Sequence, residues 1–270
     1  SDLTTIQGNT IGLDVTKTTA LPNNYGISLR SALNYFIGGT TAGAGNVISG
    51  NTRQGIFVAE NCVNTSIRGN FIGVNGAGEA FGNGMDGIMV QYASDTNIGG
   101  VDDPFENIIA YNGGNGIEVE SAYPKVMGNQ IYANSGLGID VWRQIAQQGV
   151  TPNDPDESDD IQNFPVIKKV SFPSPGRVLF AVEVPTLEGE EVTVSFFASD
   201  TCDPSGHGEG QVYLGYVTDI AVGGVAEFVI NLPLPDAFMF YTASAWGPSL
   251  GQSEFSACKS ASTYLPSIFR

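Results

Sequence analysis

The feature that most restricts what this chain can fold into is that it nearly repeats itself. Residues 6–58 return at 67–119 with a constant offset of 61 residues and no gap. Gly8-Asn9-Thr10-Ile11-Gly12 returns as Gly69-Asn70-Phe71-Ile72-Gly73, and Ile37-Gly38-Gly39 as Ile98-Gly99-Gly100. Asn46, Ile48 and Asn51 return as Asn107, Ile109 and Asn112. Self-similarity at a fixed period is the mark of a repeat architecture, in which each unit buries its apolar face only against its neighbours.

Each unit holds two similar halves. An Asn after Gly or Glu, followed by Ile, recurs at Asn9, Asn46, Asn70, Asn107 and Asn129, and a Gly-Ile pair recurs at Gly26, Gly55, Gly87, Gly116 and Gly138. The last two members of each series are 22 residues apart, which sets the length of a bare coil; longer spacings are coils carrying side loops. After each Gly-Ile the residues alternate, as in Ile56-Phe57-Val58 and Ile117-Glu118-Val119, with one face apolar and the other free. No segment sustains the i, i+3, i+4, i+7 spacing of an amphipathic helix. The reading is an all-β chain that starts as a right-handed parallel β-helix, with Ile27, Ile56, Ile88, Ile117 and Ile139 stacked in one apolar column.

The 270 residues suit two modest domains, and 35 glycines with only 11 Lys+Arg suit a turn-rich all-β protein. A net charge of −17 argues against nucleic acid or an anionic membrane as partner. No apolar stretch reaches the 18 or so residues of a membrane span. No signal peptide is visible and Ser1 falls inside a repeat, so a mature or truncated polypeptide is expected. Of the three cysteines, Cys202 and Cys258 both lie in the second half and are expected to pair; Cys62 follows a coil strand and reads as a buried thiol.

Three regions follow: a β-helix over 1–144, an acidic linker over 145–163, and an immunoglobulin-like antiparallel β-sandwich over 164–270. In the first, loops 13–25 and 74–86 leave the same corner and should sit one above the other. The recurrent asparagines, with a second set at Asn51, Asn112 and Asn134, predict ladders at coil corners, because Asn tolerates left-handed backbone and bonds neighbouring main chain. In the linker, Asn153, Asp154, Asp156, Asp159 and Asp160 offer clustered oxygen ligands. Such a set can hold Ca²⁺, or can be a solvated acidic linker; it is not an EF-hand loop. In the third region, strand-like segments at 177–184, 191–198, 211–219, 225–232, 237–245 and 253–259 alternate with turns. The sandwich would cap the open end of the β-helix, whose strand edges otherwise invite aggregation.

These repeats, with Pro152-Asn153-Asp154-Pro155-Asp156, Gln162-Asn163-Phe164-Pro165, Cys202-Asp203, Gly208-Glu209-Gly210 and Ser253-Glu254-Phe255-Ser256, carry a resemblance over almost the whole chain. The chain is similar to secreted bacterial parallel β-helix repeat proteins that end in an immunoglobulin-like domain. The resemblance implies an extracellular, often surface-linked protein and no particular activity. The junction departs from the longer Asp-x-Asp-x-Gly-x-Asn run of such proteins, because Glu157-Ser158-Asp159-Asp160 contains no Gly.

Stacking the outward strand positions gives Ser28, Phe57, Met89, Glu118 and Asp140, and two residues on, Arg30, Ala59, Gln91, Glu120 and Trp142. Neighbouring strands lie about 4.8 Å apart, so Glu118 and Asp140 are expected side by side, with Glu120 and Trp142 next to them. Carboxylates about 5–5.5 Å apart suit a retaining glycosidase, one as acid and one as nucleophile. Trp142 could stack on a sugar, and Arg143 or Lys125 could serve a lyase as base or charge stabiliser. The competing reading is that these are surface acids of an acidic protein. Gly206-His207-Gly208 resembles the Gly-His-Gly of pectin-cleaving β-helix hydrolases but lies in the predicted sandwich, where His207 reads as a loop residue. A single histidine disfavours a zinc site, and no Gly-x-Ser-x-Gly elbow or phosphate-binding loop is present. Two functions follow: a non-enzymatic, adhesin-like surface module contacting polysaccharide or a cell-surface protein, or a polysaccharide lyase or glycoside hydrolase acting on the Glu118/Asp140 face.

Overall fold

The structure, a computed structural model, describes residues 3–101, 106–143, 149–154, 159–235 and 238–260. Among these residues every regular element is a strand. Five coils wind through three parallel sheets. The first sheet stacks Thr4–Ile6, Leu33–Gly38, Val63–Arg68, Ser94–Gly99 and Lys125–Met127. The second stacks Thr10–Ile11, Val47–Ile48, Phe71–Ile72, Ile108–Ala110 and Gln130–Tyr132. The third stacks Ile27–Leu29, Ile56–Val58, Ile88–Gln91, Ile117–Glu120 and Ile139–Trp142. This is the right-handed parallel β-helix the repeats imply, and 61 residues is two coils with their loops.

The β-branched column forms because the registers pair like with like: Ile27 with Ile56, Ile56 with Ile88, Ile88 with Ile117 and Ile117 with Ile139. All five are buried, Ile27 the most exposed at 7%. Ile37, Ile67 and Ile98 do the same for the first sheet and Ile48, Ile72, Ile109 and Ile131 for the second, so the interior is one continuous apolar cluster.

The corners are asparagine ladders. Between the first and second sheets, Asn9, Asn46, Asn70, Asn107 and Asn129 each donate from Nδ2 to the next Oδ1 at 2.8–3.0 Å. Between the second and third, Asn23, Asn51, Asn83, Asn112 and Asn134 do so at 2.9–3.1 Å. In both ladders the backbone N–H joins the side chain on the same oxygen. Glycine is required beside them: Gly73 sits at φ +84°, and a Cβ there would lie 1.9 Å from the Ala110 carbonyl. The two side loops are in contact, Asn75 Nδ2 donating to the Lys17 carbonyl at 3.1 Å.

The second half is an antiparallel β-sandwich. Val166–Ser171, Arg177–Pro185 and Val225–Pro233 form one sheet; Val212–Ile220, Glu191–Ser199, Phe240–Gly247 and Gly251–Gln252 form the other, with Lys259–Ser260 beside Phe240–Gly247. Inward residues of both sheets share one core, where Phe180 lies 4.8 Å from Phe196 and 5.8 Å from Tyr241 between ring centroids. Val166–Ser171 was not among the expected strands, and most of 253–259 is not a strand; those residues instead meet the β-helix. Cys202 and Cys258 form a disulfide with a Cα separation of 6.0 Å, and Cys62 is a buried free thiol.

The sandwich closes the upper end of the β-helix. Gly210 and Ile131 exchange two backbone hydrogen bonds of 2.8 Å. Glu209 extends the second ladder, taking the Ala133 N–H at 2.7 Å and the Asn134 N–H at 2.9 Å. Gln252 Oε1 accepts from Val126 N at 3.2 Å, and Glu254 accepts from Val141 N at 3.4 Å and Thr151 N at 2.9 Å. Phe197, Phe255 and Ile161 complete the apolar interior above the last coil. An open coil leaves N–H groups unpaired, and here three side chains of the sandwich accept them, one set at each sheet or corner.

Candidate functional site

The outward column of the third sheet carries the acids. Glu118 pairs in register with Asp140, and Glu120 with Trp142, as the stacking argument requires. Both Glu118 and Asp140 are buried, at 8% and 3% exposure. Asn115 Nδ2 lies 3.4 Å from Glu118 Oε2 and 3.0 Å from Asp140 Oδ2, so these oxygens can be no further apart than those two distances together. Trp142 Nε1 donates to Glu118 Oε1 at 3.3 Å, and Gly149 N–H donates to Asp140 at 3.2 Å.

A third acid joins the pair and escaped the sequence reading. Asp86 is buried, accepts the Asn115 N–H at 2.8 Å and takes a 3.3 Å bond from Gln54 Nε2. It belongs to a second column, Gln54, Asp86 and Asn115, that stands immediately before each Gly-Ile pair. Extending the register by that one position would have found it.

Three acids and no cation determine the electrostatics. Burial pushes Glu118 up to about 7, helped by the negative charge of Asp86, while the Trp142 hydrogen bond opposes the shift. Burial likewise raises Asp140 to about 6, against the bonds from Gly149 and Asn115. Both acids are thus poised near neutrality. A cleft of about 420 Å³ opens beside them, between Asn115, the turn 135–137 and Asp140 on the β-helix and Asp203, Pro204 and Ser205 on the sandwich.

The other nominated residues are elsewhere. Glu120 accepts a bond from Gln91 Nε2. Arg143 is turned to the cap: it donates to the carbonyls of Ala122, Asp160 and Leu250 and lies 4.2 Å from the Tyr123 ring. Lys125 Nζ lies 4.2 Å from the ring centre of Trp246. Neither cation reaches the acids, so the base or charge stabiliser expected of a lyase is not supplied by them. His207 packs edge-on against Phe164 at 5.0 Å in a loop of the sandwich, as the sequence implied.

In the linker, Asn153 exchanges two 2.9 Å bonds with the backbone of Phe164, and Asn163 bonds both the N–H and the carbonyl of Asp154. Asp159 Oδ1 accepts the Ile161 N–H at 2.9 Å, and the Asp160 carbonyl receives Arg143. Asp156 lies outside the described residues. Among the described residues no group of three or more His, Cys, Asp or Glu is placed to hold a metal ion.

Comparison with known proteins gives a family match over residues 2–158, to the family described as periplasmic copper-binding protein (NosD). No curated protein sequence matches the chain. Among solved structures, a mutant of the periplasmic alginate epimerase AlgG shares 20% identity over 57% of this chain, with a TM-score of 0.39. The enzymatically active domain of tailspike protein 2 of bacteriophage CBA120 shares 13% over 90%, with a TM-score of 0.32. The chain spans only 30% and 52% of those two proteins.

The copper in the family's description finds no fitting donors here. Copper is held by imidazole, thiolate and thioether groups brought together. The one histidine, His207, is stacked on Phe164; Cys62 is 0% exposed inside the coils; the other two cysteines are joined to each other. The donor set does not make a copper centre among the described residues. The family match nevertheless covers more than half of the sequence and coincides with the parallel coils, and by that measure the chain belongs to the NosD family.

Proposed function

We propose that the protein is an exported β-helical module of surface architecture that contacts carbohydrate without cleaving it, with an immunoglobulin-like sandwich sealing the rod. The observation that carries this reading is the closure of the acid pair. Glu118 and Asp140 are 8% and 3% exposed and are held by Asn115, Trp142 and Gly149. A polymer reaching this face meets polar small groups and not a free acid and nucleophile. Arg143 and Lys125, the groups a lyase would need, are engaged elsewhere. Export is supported by the periplasmic family and by the disulfide, which persists in oxidising compartments. The charge of −17 speaks against nucleic acid as the partner. The test is a glycan array run beside an assay for reducing and unsaturated ends. Retention of glycans with no release is expected; release that disappears in Glu118→Gln would overturn the reading.

A second reading has one specific support. A carboxylic acid still protonated near pH 7 is what a glycoside hydrolase needs as general acid, and Glu118 sits at about 7 next to Asp140, which lines the 420 Å³ cleft. On this reading Glu118 protonates the leaving oxygen and Asp140 acts from the cleft side.

A further inference from the structure

The chain has only 11 Lys+Arg, yet two of them share one notch. On the outer face of the first sheet, a notch of about 250 Å³ is lined by Arg68, Asn97, Gly99, Gly100, Lys125 and Met127, with Val101 at its edge. The registers explain the convergence. Asn97 pairs with Ser66 below and Lys125 above, while Gly99 pairs with Met127. Arg68 pairs with Gly38 on the coil beneath, so it stands in a column with glycines on both sides and has room to lie along the face. None of the described residues lining the notch is acidic. Lys125 is held over the Trp246 ring, which fixes its ammonium at the top of the notch.

Two cations of different geometry, an amide and glycine main chain surround a floor made apolar by Val101 and Met127. A carboxylate is bound most strongly by charge-assisted hydrogen bonds from such groups, and the apolar floor suits the carbon face of a ring. We propose that this notch is a subsite for an acidic saccharide, the sugar carboxylate facing Lys125 and Arg68 and its ring lying against Val101 and Met127. The proposal rests on the carbohydrate reading above and names the class of glycan and its place, remote from the Glu118 face.

The test is calorimetric titration of the whole chain with trigalacturonic acid and with cellotriose. The native protein should bind the acidic trisaccharide and not the neutral one. Lys125→Gln should weaken it at least tenfold, Asn97→Asp should do the same by placing a negative charge in the notch, and Lys125→Arg should retain most of the binding. Equal binding of both trisaccharides, or binding unchanged in both weakening variants, overturns the subsite while leaving carbohydrate contact standing. If neither trisaccharide binds but the glycan array is positive, the subsite is again overturned; if the array is blank too, both readings fall. Unchanged melting of the variants separates lost contact from lost fold.

Discussion

Asn112 shows how much one side chain does in this fold. Its Oδ1 accepts from Asn83 N at 3.2 Å and Asn83 Nδ2 at 2.9 Å, and its Nδ2 donates to Asn134 Oδ1 at 3.0 Å. It is fully buried, so Asn112→Ala strands donors above and an acceptor below. An unmade buried hydrogen bond costs about 1–3 kcal/mol, and the expected loss is about 3 kcal/mol in chemical denaturation. A loss within error of zero would show that the corner is not bonded this way. The glycine beside it is as strict: Gly73→Ala meets both a positive φ and the Ala110 carbonyl and should prevent folding, read as loss of soluble protein. The repeat made Asn51, Asn112 and Asn134 legible as a ladder but not Asn23 and Asn83. Loops 13–25 and 74–86 displace them from the Gly-Asn-x-Ile context, so only the closed coil reveals that a further asparagine stands between Asn51 and Asn112.

At the scale of the element, the decisive junction is the last coil against its cap. Glu254 is buried there and pushed up to about 8 by burial, with the charge of Asp140 adding to the shift and the bonds from Thr151 and Val141 opposing it. With Glu118 at about 7 and Asp140 at about 6, three buried acids hold protons more tightly than in the unfolded chain, where they titrate near 4. From about pH 4 to about pH 8 the folded chain therefore binds more protons than the unfolded one, and stability falls as pH rises. The penalty is absent below the unfolded values and complete above the folded ones. The melting temperature should thus be higher at pH 5 than at pH 8. Glu254→Gln, which keeps an oxygen for the backbone donors, should flatten the slope and raise the melting temperature at pH 8. An unchanged slope would show that Glu254 is not charged within the fold. The sequence suggested a cap, but the roles of Glu209, Gln252 and Glu254 could not be read from it. They lie about 75–126 residues from the N–H groups they accept, and no local pattern encodes such a meeting.

For the whole molecule, the disulfide ties the loop at the cleft to the strand that follows the cap. Cys202 and Cys258 are 56 residues apart, and closing a loop of that length stabilises by up to about 4 kcal/mol through the unfolded chain. The double replacement of both cysteines by Ser should lower stability by an amount of that order and should open the 203–205 side of the cleft first, seen as faster hydrogen exchange there than in the coils. The donor inventory makes a second forecast. Dialysis against Cu(I) or Cu(II), followed by a competing chelator, should leave less than one equivalent of copper on the chain. A retained stoichiometric ion would identify donors that the single histidine and buried thiol do not suggest.

The 61-residue period, with Gly-Ile and Gly-Asn at fixed offsets, determined the coil, the three apolar columns and the pairing of Glu118 with Asp140, because stacking at a constant register turns sequence offset directly into spatial adjacency. What the period does not carry was decided only in three dimensions. Which oxygen a cap residue offers, where Arg143 and Lys125 turn, and whether a paired acid faces solvent or a closing loop depend on the packing of two regions that share no repeat. Their surfaces meet through burial and hydrogen-bond satisfaction between residues far apart in the chain.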